Sequence, residues 1–169
     1  MDKIDAVPAR VGPQASFPAI LLGLLAAAVL LRIVAGFTAP KGPSDSGLGL
    51  VKWQQLESTA SQAGRQGKAI LYDFTAAWCA PCHILDQEGW GDQRIAAIVT
   101  DHFVAARVID REREDGKNTP LVDELQKRYA VRAFPTLIAA DASGREIARM
   151  EGYGGRDRLV KFLEDAGKK

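Results

Sequence analysis

"LYDFTAAWCAPCH", residues 71 to 83, places an apolar run of strand length just ahead of two cysteines spaced Cys-x-x-Cys. The run reaches back as "AILYDF" (69 to 74), and Pro81 stands where the first turn of a following helix begins, a position at which a helix accepts proline. Two chemistries compete for these residues. Read as Cys-x-x-Cys-His, the stretch matches the attachment signature of a c-type haem with His83 as axial ligand. Read as Trp-Cys-x-Pro-Cys, it matches a dithiol centre.

The setting favours the dithiol. Backbone N–H groups at a helix start are unpaired and carry partial positive charge. A thiolate held there is stabilised, and its pKa falls from about 8.5 toward neutrality or below. Cys79 is therefore the expected nucleophile. Cys82 lies three residues on, on the same helix face, placed to attack a mixed disulfide on Cys79 and release the reduced partner. Because a helix turns its later positions inward, Cys79 is expected to be the more exposed of the two. Haem, by contrast, needs an apolar enclosure and a second axial ligand, and His102, Met150 and Met1 are the remaining soft or imidazole side chains. The competing function is a haem- or metal-binding chaperone using the two cysteines as ligands. A structural zinc site is not expected, since two cysteines and two histidines do not supply four ligands at recognisable spacings.

The chain has 169 residues, enough for one ordinary domain and an appendage. Twenty-two basic and 21 acidic residues leave a net charge of +1, so no footprint for nucleic acid is present. The two cysteines are so close that a disulfide between them closes a very small loop and stabilises little by entropy. Much of the apolar content sits in "FPAILLGLLAAAVLL" (17 to 31), continued past Arg32 to Phe37. With Arg32 snorkelling, residues 17–37 have about the length of a membrane-spanning helix. The long, proline-containing segment 1–16 and a weak small-x-small site at Val34–Gly36 favour an uncleaved anchor; the short uninterrupted apolar core favours a cleaved signal peptide. Residues 38–49, rich in Pro, Gly and Ser, read as a linker, and a folded domain is expected over 50–169.

Within that domain the pattern is mixed. Trp53, Leu56, Ala60 and Ala63 fall at helical spacing, with Asp45 or Ser46 as upstream caps. Helices are expected through Leu85, from Asp92 to about Thr100, from Pro120, and over 156–166. "FVAARVID" (103 to 110) reads as a strand, "REREDGKN" (111 to 118) as a charged solvated loop, and "TLIAA" and "EIARME" around "DASG" as a hairpin. Strands alternating with helices before a hairpin predict an α/β fold with a central mixed sheet flanked by helices.

"LYDFTAAWCAPC" (71 to 82) and "VRAFPTLIAAD" (131 to 141) together resemble the thioredoxin family over roughly residues 50 to 165. They resemble in particular the C-terminal domain of DsbD-type transmembrane disulfide reductases, which carry an aromatic soon after the helix (here Trp90) and a longer loop after the next strand (here 111–118). The resemblance implies a thioredoxin fold and a thiol–disulfide oxidoreductase working in the reducing direction. It needs no cofactor beyond a redox-active Cys79–Cys82 disulfide. Pro135 would be a cis-proline, an uncommon state kept for a structural reason. Phe134, Pro135 and Thr136 would line a substrate groove, Trp78 would cap its rim, and Ala80 and Pro81 would complete the active-site loop. Asp73 would be a buried acid beneath the motif, its pKa raised by desolvation, exchanging protons with Cys82. Trp53 and Trp90 read as core anchors rather than client contacts.

Two departures stand out: Thr75 occupies a place where thioredoxins often carry Trp, and no basic residue is evident near Asp73. The implied setting is the inner membrane, with residues 17–37 as a single anchor and the domain facing the periplasm or cell exterior; release into the periplasm after cleavage is the alternative. The implied partners are disulfide-containing exported proteins, apocytochromes among them, and a transmembrane reductase as electron donor.

Overall fold

The computed structural model describes residues 49–168. The tail 1–16, the apolar segment 17–37, the linker up to residue 48 and the cap candidates Asp45 and Ser46 lie outside the described residues. Among the described residues, no helix is long and apolar enough to cross a membrane.

Strands β1 (Ala69–Ala76), β2 (Phe103–Asp110), β3 (Thr136–Ala140) and β4 (Glu146–Glu151) form one mixed sheet in the order β2-β1-β3-β4. β1 and β2 run parallel in unbroken register from Ala69 opposite Phe103 to Ala76 opposite Asp110. A parallel pair needs a long crossover. It is supplied by α2 (Ala80–Ile84), a π-helical turn over Leu85–Trp90 and α3 (Gln93–His102). β3 pairs antiparallel with both β1 and β4. Its short link to β4 is closed by Asp141, whose carboxylate is pulled down to about 2 by the Ser143 hydroxyl and the Arg145 backbone N–H. Gly144 takes φ +82° there, a conformation open to glycine.

Side-chain alternation along β1 builds a core on each face of the sheet. Leu71 faces a cluster with Ile95 and Val99 of α3 and Leu159 and Leu163 of α6 (Arg156–Gly167). Ile70, Tyr72 and Phe74 face Ala63 of α1 (Thr59–Gln66) and Val122 and Leu125 of α5 (Pro120–Arg128). Helix ends follow local chemistry. Asp92 caps α3 by accepting from the N–H groups of Arg94 and Ile95, and Thr119 caps α5 with Pro120 in the first turn.

Three expectations need correction. Trp53 is not helical: it forms a parallel bridge with Ala105, and the Gln54 N–H donates to the Ala105 carbonyl at 2.8 Å. The helix starts only at Thr59, after a 3-10 turn over Leu56–Ser58. The apolar spacing that suggested an earlier start reflects Trp53 packing edge-on against Trp90, ring centroids 5.3 Å apart. The helix after the motif also ends in the wider π turn, in which Leu85, Gly89 and Trp90 all face inward. Leu85 and Trp90 are five residues apart, the spacing that i→i+5 geometry brings to one face. Lastly, "REREDGKN" is not all loop; it contains the short helix α4 (Glu112–Asp115).

Leu137 in β3 is fully buried between β1 and β4. Leu137→Ala is expected to lower the unfolding free energy by about 2–5 kcal/mol. The measurement is urea unfolding, with a lower midpoint at unchanged slope.

Candidate active site around Cys79 and Cys82

Strand β1 runs through the sheet interior and releases the chain at Ala76; three residues later Cys79 becomes the N-cap of α2. Cys79 is extended (φ −85°, ψ 97°), and its Sγ accepts from the Cys82 N–H at 3.3 Å. Its carbonyl accepts from the N–H groups of Cys82 and His83 at 3.0 and 3.3 Å. The sulfur thus already occupies the place where a capping oxygen would satisfy an orphan donor. Cys79 and Cys82 are joined as a disulfide. Each is only 2% exposed, so the expected difference in exposure is absent in this state. What separates the two is position: Cys79 caps the helix and Cys82 lies within its first turn.

The sequence-predicted residues converge here. Ala76, Cys79 and Cys82 form a small buried cluster, with Phe134 packed against it. The Phe134–Pro135 bond is cis, and Pro135 is buried. The Pro135 carbonyl accepts from the Gly152 N–H at 2.8 Å. Thr136 is buried too, with its hydroxyl donating to the Ala133 carbonyl at 2.7 Å. Trp78 is 43% exposed, and its ring meets Phe134 edge-on at 5.7 Å. Ala80 and Pro81 are exposed on the first turn of α2.

His83 lies 2.9 Å through Nε2 from the Ala77 carbonyl. A carbonyl only accepts, so Nε2 carries the proton. His83 ties the helix to the turn before the motif. Among the described residues, no group of three or more His, Cys, Asp or Glu is placed to hold a metal ion.

Asp73, six residues before Cys79, is 1% exposed and lies on the same face of β1 as Leu71, the side on which Leu85 and Trp90 pack. A carboxylate so buried needs partners. The Trp90 indole Nε1–H donates to Oδ2 at 3.0 Å, and Arg107 Nε lies 3.6 Å from the same oxygen. Arg107 also pairs with Asp86, and its guanidinium stacks 4.7 Å from the Trp53 ring centroid.

The absence of a basic residue near Asp73 is thus overturned: parallel pairing sets Arg107 directly beside it. The signal in the sequence was a lone charge inside the apolar strand "FVAARVID". It becomes readable only once the β1–β2 register is known. Trp90 is a core anchor as expected, but it also holds the acid. Asp86, which nothing in the sequence singled out, is the second partner of Arg107.

The segment after β2 folds back over the rim. Asp110, 7% exposed, accepts from the Glu112 N–H, the Asn118 amide and the Gln126 amide at 3.2, 3.0 and 2.8 Å. Burial pushes its carboxyl up. The Gln126 and Asn118 amides, the Glu112 N–H and the charge of Arg113 outweigh that and hold it below the usual carboxylate range. So anchored, the segment sets the Arg113 guanidinium 3.7 Å from the Trp78 ring centroid.

Residues 56–167 match the family model of the thioredoxin-like domain. The chain belongs to the thioredoxin-like family, and its Cys79–Cys82 pair makes it a thiol–disulfide oxidoreductase. Among curated relatives it is similar to the thiol:disulfide interchange protein DsbD of Photorhabdus laumondii, 25% identical over 114 residues, or 66% of this chain and 18% of that protein. It spans less than a fifth of the DsbD proteins it matches. Among solved structures, a DsbH oxidoreductase superposes with a TM-score of 0.62 at 21% identity, covering 81% of this chain and 98% of that one. The oxidised C-terminal domain of Neisseria meningitidis DsbD gives 0.53 at 20% identity, covering 65% and 90%. At these identities the two structures establish the shared fold.

Arg107→Met leaves the Asp73 carboxylate buried without its cation and is expected to destabilise the protein by about 3–5 kcal/mol. Adding Asp73→Asn should restore part of that loss in urea unfolding. Strictly additive losses would contradict the coupling.

Proposed function

We propose that this chain reduces disulfides of exported proteins, using Cys79 as the attacking sulfur and Cys82 as the resolving one. The observation that carries the reading is the Cys82 N–H donated to Cys79 Sγ at the helix start, beside the cis Phe134–Pro135 bond. In the reduced protein the same N–H and the helix start favour negative charge on Cys79.

The exchange proceeds in two balanced steps. The Cys79 thiolate attacks one sulfur of a client disulfide; an S–S bond to the client forms, the client's own S–S bond breaks, and one client thiolate leaves. Cys82 then gives up its proton and attacks Cys79 Sγ. The intramolecular disulfide closes, the second client thiolate departs, and two electrons have passed to the client. Asp73 is assigned as acceptor of the Cys82 proton, because it is a buried acid close before the motif in sequence and is hydrogen-bonded to Trp90, which ends the π turn that continues the Cys82 helix. Phe134, Pro135 and Thr136 are assigned to the groove that receives the client chain, with Trp78 at its rim.

The reductive direction rests on the Trp-Cys-x-Pro-Cys pattern and on the likeness to DsbD proteins. Clients are then oxidised cysteines of exported proteins, apocytochromes among them, and a transmembrane reductase returns the electrons. Residues 17–37 are assigned as a single membrane anchor holding the domain on the periplasmic or outer side of the inner membrane. Their apolar length supports this.

Cys82→Ser is expected to accumulate mixed disulfides with client proteins on Cys79, whereas Cys79→Ser accumulates few; non-reducing gels followed by mass spectrometry read this directly. Equal trapping by the two variants would contradict the assigned roles. Asp73→Asn should slow resolution near neutral pH by about a hundredfold, the usual scale for loss of a general base, and slow the first attack far less. Stopped-flow measurement of both phases checks it.

A further inference from the structure

Arg113 differs from Arg111, the other arginine of its segment. Arg111, two residues away, is paired with Asp115 at 2.6 Å. The Arg113 guanidinium lies on the Trp78 ring at 3.7 Å, and no acidic side chain among the described residues is within ion-pairing distance of it. Asp110 feels its charge, but the Asp110 oxygens are taken by Glu112, Asn118 and Gln126. Glu112 and Glu114 flank Arg113 on α4, and residues one apart on a helix do not share a face.

A guanidinium stacked on an indole keeps its planar fork of N–H donors free at the edge, which suits bidentate contact with a carboxylate. The stack also fixes where that fork sits. Trp78 immediately precedes Cys79 and touches Phe134, so a group bound at Arg113 lies on the rim over which a client disulfide arrives. The anchoring of the segment by Asp110 and Asn118 means that this position is set before any client binds.

We infer that Arg113 is a specificity-determining residue, which recognises a client by a carboxylate, an Asp or Glu side chain, next to the cysteine that Cys79 attacks. This rests on the reading of the chain as a disulfide reductase and names the class of client that it prefers.

The test uses the full-length chain, reduced beforehand, in single-turnover reaction with two disulfide-bonded peptides that differ only in Glu or Gln beside the attacked cysteine. The Glu peptide is expected to react about fivefold faster at low ionic strength, the scale of a well-placed exposed ion pair, with the advantage shrinking as salt is added. Arg113→Gln should bring the ratio of the two rates to near one, and Arg113→Glu should invert it. A structural effect on the dithiol moves both rates together and leaves the ratio alone. The same ratio in all three proteins, or no preference in the unaltered chain, overturns the inference. If neither peptide is reduced by the unaltered chain, the reductase reading itself falls, and this inference with it.

Discussion

The bond from the Cys82 N–H to Cys79 Sγ, at the point where β1 gives way to α2, is the contact around which the site is built. It requires that a strand deliver its last residues to a fixed place. β1 meets that requirement because it is paired on both edges, with β2 on one side and β3 on the other. The same pairing brings the start of β3 alongside the end of β1, with Phe74 opposite Thr136. The cis bond just before Thr136 therefore lies near the motif as a consequence of sheet register. One piece of topology thus positions the sulfurs and the peptide segment beside them.

On the inner face of β1 the protein keeps an ionisable side chain in a place that ordinarily excludes one. Asp73 is 1% exposed and lies on the face of β1 that carries Leu71 and its apolar cluster. It is retained with an indole N–H and a guanidinium, and that guanidinium is in turn held by Asp86 and the Trp53 ring. Such a buried pair adds little net stability over an apolar replacement, because desolvation offsets most of the attraction. Stability alone therefore does not account for the pair, in line with the proton-accepting role proposed for Asp73. The π turn serves this arrangement by carrying Trp90 inward beside Leu85.

Much of this was legible from local chemistry. The strand read over 69–74, which runs on to Ala76, the helix beginning at the motif, the capped helix after Thr119 and the hairpin around Asp141 each follow from residues within a few positions of one another. What escaped depends on contacts between distant segments. Arg107 meets Asp73 only through strand register, and Arg113 meets Trp78 only because Asp110 folds the following segment back. Trp53 misled for the opposite reason. Its spacing to Leu56 and Ala60 is helical, but its backbone is claimed by Ala105 on the edge of the sheet. The equal burial of the two cysteines escaped as well, since it depends on Phe134, far along the chain, packing against their cluster.

The roles assigned to Cys79 and Cys82 require a chemical difference between two sulfurs that are equally hidden when joined. The most direct measurement is the rate of alkylation of each cysteine in the reduced, unaltered chain at neutral pH, resolved by peptide mass spectrometry after short exposure to iodoacetamide. Cys79, held at the helix start, is predicted to react at least about tenfold faster than Cys82, as a thiolate-rich cysteine does beside a protonated one. Equal rates, or faster reaction at Cys82, would contradict the assignment of Cys79 as the attacking sulfur.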